Sequence, residues 1–188
     1  LKLGVYREWF NHATPEIVAA CEAMLKNFVG MGAEVREIEI PDLDLTRIAH
    51  VIAILGEMAT AMQPYYEKHR RDFGLDVRVN LAIGRAFTSR DYVHAQRMRT
   101  RAIANFAKVL VDVDVIGSPA TAVTAPPIPA DAIAAGESDL STVTELMRYV
   151  FSGNLTGLPA ISFPVGYDSK GLPIGMQLMA DQFQEEKL

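Results

Sequence analysis

The first part of the chain predicts a strand, a helix and a second strand. Residues 1–6 alternate apolar and polar side chains, and residues 33–40 do so until Pro41. Between them, Thr14 and Pro15 are typical of a helix start, where we expect the threonine hydroxyl to cap free backbone N–H groups. A buried stripe at helical spacing follows: Ile17, Ala20, Cys21, Met24, Leu25 and Phe28. This order predicts a βαβ unit with parallel strands.

The middle of the chain predicts three helices. Residues 45–87 are mainly helical in pattern, with a break at Pro64 and a second helix from about residue 75. A third helix is expected from Thr88 to about residue 111, with apolar residues inward and arginines solvated. Apolar residues cover more than one face of the first helix, which predicts that it is deeply buried or lines something apolar: Ile48, Val51, Ile52, Ile54, Leu55 and Met58.

A short strand and a proline-rich loop follow the third helix. Residues 113–117 form the apolar strand, which runs directly into a loop that ends at Pro129. Loops that leave the carboxyl ends of strands form the ligand crevice of open α/β sheets, so this loop is a candidate site. We expect a polar, exposed segment over residues 131–141 and a helix over residues 142–152.

Two strands near the end of the chain predict an antiparallel hairpin. Residues 160–167 and 173–179 are apolar, and Asp168 and Gly171 between them are typical turn residues. With the parallel unit, the hairpin predicts the α/β fold class, with a mixed, mostly parallel sheet flanked by helices. The chain begins in a strand and ends in the pattern of a helix start, so we expect residues 1–188 to be a piece of a single domain.

Composition excludes several classes of protein. The 188 residues carry a net charge of −5, with 18 Lys and Arg against 23 Asp and Glu, so no nucleic-acid partner is expected. A single cysteine excludes a disulfide scaffold, and Cys21 is interpreted as a core side chain. No uninterrupted apolar run reaches the roughly 18 residues of a membrane span, which predicts a soluble or peripheral protein.

Local motifs offer no catalytic or metal centre. The 4 histidines lack partners at metal-ligand spacing, so we predict no metal and no cofactor. The sequence has no GxSxG, no GxGxxG and no phosphate-binding loop. Ser118 and Ser152 have no base near them in the sequence, and both are interpreted as structural residues.

Longer stretches carry a resemblance to a known family. Residues 112–121 and 154–178, with their glycines and prolines, resemble the C-terminal half of the amidase signature family. Shorter stretches resemble the plant type of fatty acid amide hydrolase within that family: residues 3–11, 49–52, 91–96 and 146–149. The resemblance implies an α/β/α sandwich and, in the complete enzyme, a Ser–Ser–Lys triad. The Gly/Ser-rich signature of that triad does not occur here, so its residues are expected upstream of Leu1 and the chain alone is expected to be inactive.

The resemblance also implies substrate contacts. Ile83 and Phe87 fall where the wall of an acyl tunnel is expected, and Val143 and Thr144 fall where the helix after the proline-rich loop approaches the substrate. Independently of the resemblance, residues four apart share a helix face. An apolar groove could supply much of the affinity, since an alkyl chain gains about 0.8 kcal/mol per buried methylene.

Met147 bears on the class of substrate. The resemblance implies that the A subunits of tRNA-dependent amidotransferases, which use glutamine, have an acidic residue at the corresponding position, where it can hold a substrate ammonium. In this sequence that position, seven before Asn154, is Met147. A thioether cannot pair with a cation, so we expect a neutral small-molecule amide with an apolar tail, such as an N-acylethanolamine. Glu145 keeps the amidotransferase alternative open. A general aliphatic amidase and, from another class, a non-catalytic amidase-like interaction module are further alternatives.

The resemblance finally implies a location. We expect an intracellular protein that contacts the endoplasmic reticulum or another internal membrane peripherally, through a part upstream of Leu1. Whether the protein forms a homodimer is left open by the sequence.

Overall fold

Five strands form one mixed sheet in the computed structural model, which describes residues 1–130 and 139–188. The strand order is β2-β1-β3-β5-β4, with β1 parallel to β2 and β3, and β5 antiparallel to β3 and β4. The predicted α/β class with a mixed sheet is confirmed. The strands are β1 (Lys2–Val5), β2 (Glu34–Glu37), β3 (Val115–Pro119), β4 (Ala160–Tyr167) and β5 (Pro173–Ala180).

Helices cover both faces of this sheet. Val115 and Ile116 are neighbours in β3 and point to opposite faces, each into a separate apolar cluster. Ile17 and Leu25 of α2 pack in the first cluster, and Phe106 of α5 packs in the second. The helices are α1 (Arg7–Phe10), α2 (Pro15–Gly30), α3 (Leu43–His69), α4 (Leu75–Ala86), α5 (Ser89–Val109), α6 (Leu140–Leu146) and α7 (Phe151–Thr156).

The predicted βαβ unit is present as β1, α2 and β2. Its strands pair in parallel, with Lys2 opposite Glu34. The capping role expected of the Thr14 hydroxyl is wrong: its side chain makes no cap, and its backbone N–H donates to the carbonyl of Ala122 over 2.9 Å. Cys21 is fully buried, and this burial raises the pKa of its thiol to about 12, so the side chain is a protonated part of the core.

Two predicted helix boundaries are wrong, and tertiary contacts lie close to both. Helix α3 continues through Pro64 to His69, and its last turn is held by Tyr66, whose ring lies 3.3 Å below the guanidinium of Arg85. The helix predicted over residues 142–152 is two helices, α6 and α7. It breaks where Tyr149 turns into the core and its hydroxyl donates to the carbonyl of Trp9 over 3.0 Å. Residues 131–138 of the expected exposed segment lie outside the described residues.

Only one side of α3 is buried. Ala49, Ala53 and Ala59 are covered by neighbouring helices, whereas Ile48 is 50% exposed and Ile54 is 42% exposed. Deep burial of the whole helix, one of the two expectations for it, is therefore wrong. By length and composition α3 could cross a membrane, but here it packs against α4, α5 and α7 as a helix of the domain.

Gly84 allows α4 to lie directly on α3. A methyl group at this position would stand 2.3 Å from the carbonyl oxygen of Leu55 and 3.2 Å from Cβ of Ala59. Because the first of these atoms is backbone, a side chain cannot be accommodated unless the two helices separate.

The substitution Gly84→Ala is therefore expected to lower the free energy of unfolding by about 1–3 kcal/mol, through overpacking. Gly30→Ala is the matched control, since a methyl group at Gly30, the last residue of α2, meets nothing within 4 Å. Urea unfolding of both variants measures the difference. Equal stabilities would show that the helix crossing does not depend on Gly84.

Candidate functional site

An open groove of about 780 Å³ lies between α3, α4 and α5. Two of its walls, α3 and α4, are helices that meet at Gly84, so backbone contact fixes their separation. Phe87 lies directly after α4, in extended conformation, and its side chain is half-buried. Much of the lining is apolar or small: Ile52, Gly56, Ala59, Gly84 and Phe87. Such a groove can take an extended apolar chain.

Four of the polar side chains at this groove are paired with one another. The hydroxyl of Tyr92 donates to Oε1 of Glu57 over 3.0 Å, which ties α5 to α3. Because this hydrogen bond favours the neutral phenol, it raises the pKa of Tyr92. Arg85 donates to Oε1 of Gln63 over 3.3 Å and stacks on Tyr66. The carboxylate and the guanidinium of the groove thus already have protein partners, which suits an uncharged ligand.

The four substrate contacts expected from the resemblance lie in different places. Phe87 lines the groove. Ile83 is half-buried one turn earlier on α4, and the groove lining found among the described residues does not include it. Val143 and Thr144 are exposed on α6, where the Thr144 hydroxyl donates to the carbonyl of Leu140 over 2.8 Å. Their roles stay predictions.

The proline-rich loop after β3 borders a second cavity. This cavity has a volume of about 440 Å³ and is lined by the loop, by Leu146 of α6 and by the hairpin of β4 and β5. The Thr124 hydroxyl donates to Oδ2 of Asp168 over 2.8 Å, and the Ala120 N–H donates to the carbonyl of Gly175 over 2.9 Å. The backbone N–H of Leu172, followed by the Thr124 hydroxyl, lowers the pKa of Asp168 and keeps it an acceptor. Hydrogen bonds as well as prolines therefore hold the loop on the hairpin.

The two serines considered as nucleophiles are structural in this geometry. Ser118 and Ser152 are fully buried. The Ser118 hydroxyl donates to the carbonyl of Pro119 and accepts from Nε2 of Gln177 over 3.2 Å. The Ser152 hydroxyl donates to the carbonyl of Tyr149 over 3.2 Å. Their hydrogen-bond partners within the described residues include no basic group, and a nucleophile needs both a base and access to substrate.

Glu145, the residue that keeps the glutamine-using alternative open, is already paired. Its carboxylate forms an ion pair with Arg148, which also contacts Nδ1 of His12 at 2.9 Å. The Arg148 side chain is 14% exposed and that of Glu145 is 39% exposed, so water screens the carboxylate end of the pair in part. Met147 is half-buried at the end of α6. Glu145 therefore does not provide a free carboxylate near Met147 that could bind an ammonium group.

A metal site is not formed by the part of the chain that the structure describes. Within residues 1–130 and 139–188, no three His, Cys, Asp or Glu side chains are placed to hold an ion.

Comparison with known proteins assigns the family. The family model described as Amidase matches residues 1–188, and the chain belongs to the amidase family. A fatty acid amide hydrolase from Arabidopsis thaliana is 43% identical over 188 residues, which are 98% of this chain and 31% of the relative. A rice (Oryza sativa subsp. indica) fatty acid amide hydrolase is 41% identical over 191 residues, 100% of this chain and 31% of that protein. The chain thus spans about a third of the length of these curated relatives.

More distant relatives share the fold. The A-type subunit of a glutamyl-tRNA(Gln) amidotransferase from Thermus thermophilus is 32% identical over 210 residues, with 100% of this chain and 43% of that protein covered. Among solved structures, an amidase superimposes with a TM-score of 0.83 at 24% identity, over 99% of this chain and 43% of its own. A bacterial aryl acylamidase gives a TM-score of 0.77 at 21% identity, over 99% of this chain and 40% of its own.

Glu57 and the helix crossing at Gly84 are groove features that sequence reasoning missed. In the sequence, Glu57 is a single acidic residue and Gly84 a single glycine, each inside an apolar helical pattern. Neither signal identifies its partner, because Tyr92 and Leu55 lie on other helices.

The buried amide of Gln177 gives a test of the core beneath the loop. Its Nε2 donates to Ser118 and, over 3.0 Å, to the carbonyl of Tyr149. Gln177→Met keeps much of the side-chain volume but removes both hydrogen bonds that Nε2 donates. We therefore expect it to lower the free energy of unfolding by about 1–3 kcal/mol. Gln182→Met is the control, because Gln182 is exposed and its Nε2 makes a single long hydrogen bond, of 3.5 Å, to the carbonyl of Thr156. A thermal melt that is the same for both variants contradicts the structural role of the network.

Proposed function

We propose that this chain forms the apolar substrate-binding part of an amidase that hydrolyses fatty acid amides, such as N-acylethanolamines. In this reaction water cleaves the C–N bond of the amide and gives a fatty acid and an amine. The observation that carries the proposal is the groove at Phe87, in a chain 43% identical to a plant fatty acid amide hydrolase.

The groove supports an alkyl chain as the recognised group. Its volume of about 780 Å³ lies within the range of small-molecule sites. Each methylene transferred from water to such a surface contributes about 0.8 kcal/mol. Since Glu57 is bonded to Tyr92 and Arg85 to Gln63, binding an uncharged chain leaves no charge of these groups without a partner.

Residues 1–188 are assigned no catalytic group in this proposal. Ser118 and Ser152 are buried and serve the core. By family resemblance, the serines and the lysine belong to a Gly/Ser-rich signature, which is not in this sequence. We therefore propose that a part of the enzyme outside this chain supplies the catalytic groups. The chain spans only 31% of the length of the Arabidopsis thaliana relative, which is consistent with this.

Glutamine hydrolysis for tRNA amidation is the second candidate. It is favoured by the 32% identity to the Thermus thermophilus protein over 100% of the chain. It is opposed by the pairing of Glu145 with Arg148, because the guanidinium already offsets the charge of the carboxylate and weakens its attraction for an ammonium ligand. The apolar amide requires no such attraction.

The direct test is an assay of the protein as its gene encodes it. We expect hydrolysis of N-palmitoylethanolamine and much slower hydrolysis of glutamine and of propionamide. Release of ammonia from glutamine, with N-palmitoylethanolamine left intact, would assign the second candidate. Inactivity towards all three amides, in a folded protein that fluorophosphonate does not label, would favour a non-catalytic module.

A substitution at the groove tests which residues contact the acyl chain. Phe87→Ala is expected to raise KM for N-palmitoylethanolamine about tenfold, the equivalent of roughly two lost methylene contacts, with little change in kcat. Val29→Ala is the control, since Val29 is 52% exposed on α2 and does not line the groove. An unchanged KM in the Phe87 variant would remove this residue from the site.

A further inference from the structure

Gly56 lies inside helix α3, where glycine is an unfavourable residue. The glycine backbone loses more freedom in a helix than that of alanine, so a helix-interior glycine calls for a reason in packing or function. Packing supplies that reason at Gly84, where a methyl group would stand 2.3 Å from the carbonyl oxygen of Leu55.

Packing does not supply the reason at Gly56. A methyl group built there has Cδ2 of Tyr92 as its nearest neighbour, at 3.7 Å, which is an ordinary van der Waals distance. Alanine would therefore fit without moving either helix. The backbone conformation does not require glycine either, since the backbone is helical and Gly56 is not among the positive-φ glycines.

The space beside Gly56 belongs to the groove. Gly56 lines the cavity together with Phe87 and Tyr92. The Tyr92 ring is held in place by its hydrogen bond to Glu57, the residue that follows Gly56. A side chain larger than a methyl group at position 56 would therefore project towards a fixed ring or into the groove.

We propose that Gly56 is a specificity-determining residue, whose missing side chain keeps room in the groove for the distal part of the substrate's alkyl chain. This inference rests on the proposed function and deepens it. A side chain at this position would fill part of the groove and shorten the longest acyl chain that binds well. Short acyl chains, which fill less of the groove, would be affected less.

The test compares Gly56→Ala and Gly56→Leu with the wild-type protein as its gene encodes it. For each we would measure kcat/KM for N-octanoyl- and N-palmitoylethanolamine. The ratio of palmitoyl to octanoyl activity is expected to fall about tenfold in the leucine variant, through KM, as roughly two methylenes lose their place. The palmitoyl-to-octanoyl ratio of Gly56→Ala should lie between those of wild type and Gly56→Leu. Gly30→Leu is the control, because Gly30 ends α2 with nothing within 4 Å of its added methyl.

The thermal stability of Gly56→Ala distinguishes a role of Gly56 in helix packing from a role in keeping space for a ligand. If Gly56 only preserves a ligand's space, Gly56→Ala should melt at the same temperature as wild type or higher, since alanine favours the helix. A clear loss of stability in the alanine variant would overturn the inference, because packing would then require glycine. So would an unchanged palmitoyl-to-octanoyl ratio in a folded Gly56→Leu protein.

A binding measurement distinguishes failure of this inference from failure of the proposed function. If wild type hydrolyses neither amide, the proposed function fails, and the groove is then probed with the fluorescent fatty acid cis-parinaric acid. Weaker binding to Gly56→Leu than to wild type and Gly30→Leu supports the role of Gly56. Equal binding to all three proteins, or no binding to wild type, overturns it.

Discussion

The close contact of α4 with α3 at Gly84 is the constraint on which the groove depends. With no side chain on Gly84, the carbonyl oxygen of Leu55 comes within a distance of this residue that only glycine allows, and the Cβ of Ala59 lies close beside it. Two helix backbones in contact cannot change their separation without breaking the packing between them. The helix contact therefore fixes one side of the groove, and the side chains that line it, Phe87 and Tyr92 among them, complete its shape.

The sheet and its loop form a separate, internally bonded part of the structure. The hairpin of β4 and β5 extends the parallel strands, and the loop after β3 is tied to it through Thr124 and Asp168. Gln177 links β5 to Ser118 and to the carbonyl of Tyr149. Ser118, which could be taken for a catalytic group, therefore has a structural role in the core. The groove between the helices remains open to a ligand.

Local sequence patterns predicted the parts of the fold that local interactions decide. The βαβ unit follows from alternation and from one helical stripe, and the start of α5 follows from Thr88 and Asp91, which form a capping box. The break predicted at Pro64 and the single helix predicted over residues 142–152 are wrong, and near both places the structure has contacts between residues distant in sequence, Tyr66 with Arg85 and Tyr149 with Trp9. The candidate site divides in the same way: family resemblance drew attention to Phe87, whose role stays a prediction, but no local pattern pairs Glu57 with Tyr92 or Gly84 with Leu55.

Photocrosslinking with a palmitoyl amide that carries a diazirine at the end of its acyl chain tests the central claim most directly. If the groove between α3, α4 and α5 holds the apolar tail, the label should be found by peptide mapping on the segments that contain Gly56, Phe87 and Tyr92, and excess N-palmitoylethanolamine should prevent it. Competed labelling confined to the second cavity, at Thr124 and Ser162, would contradict the account and place the tail at the loop instead.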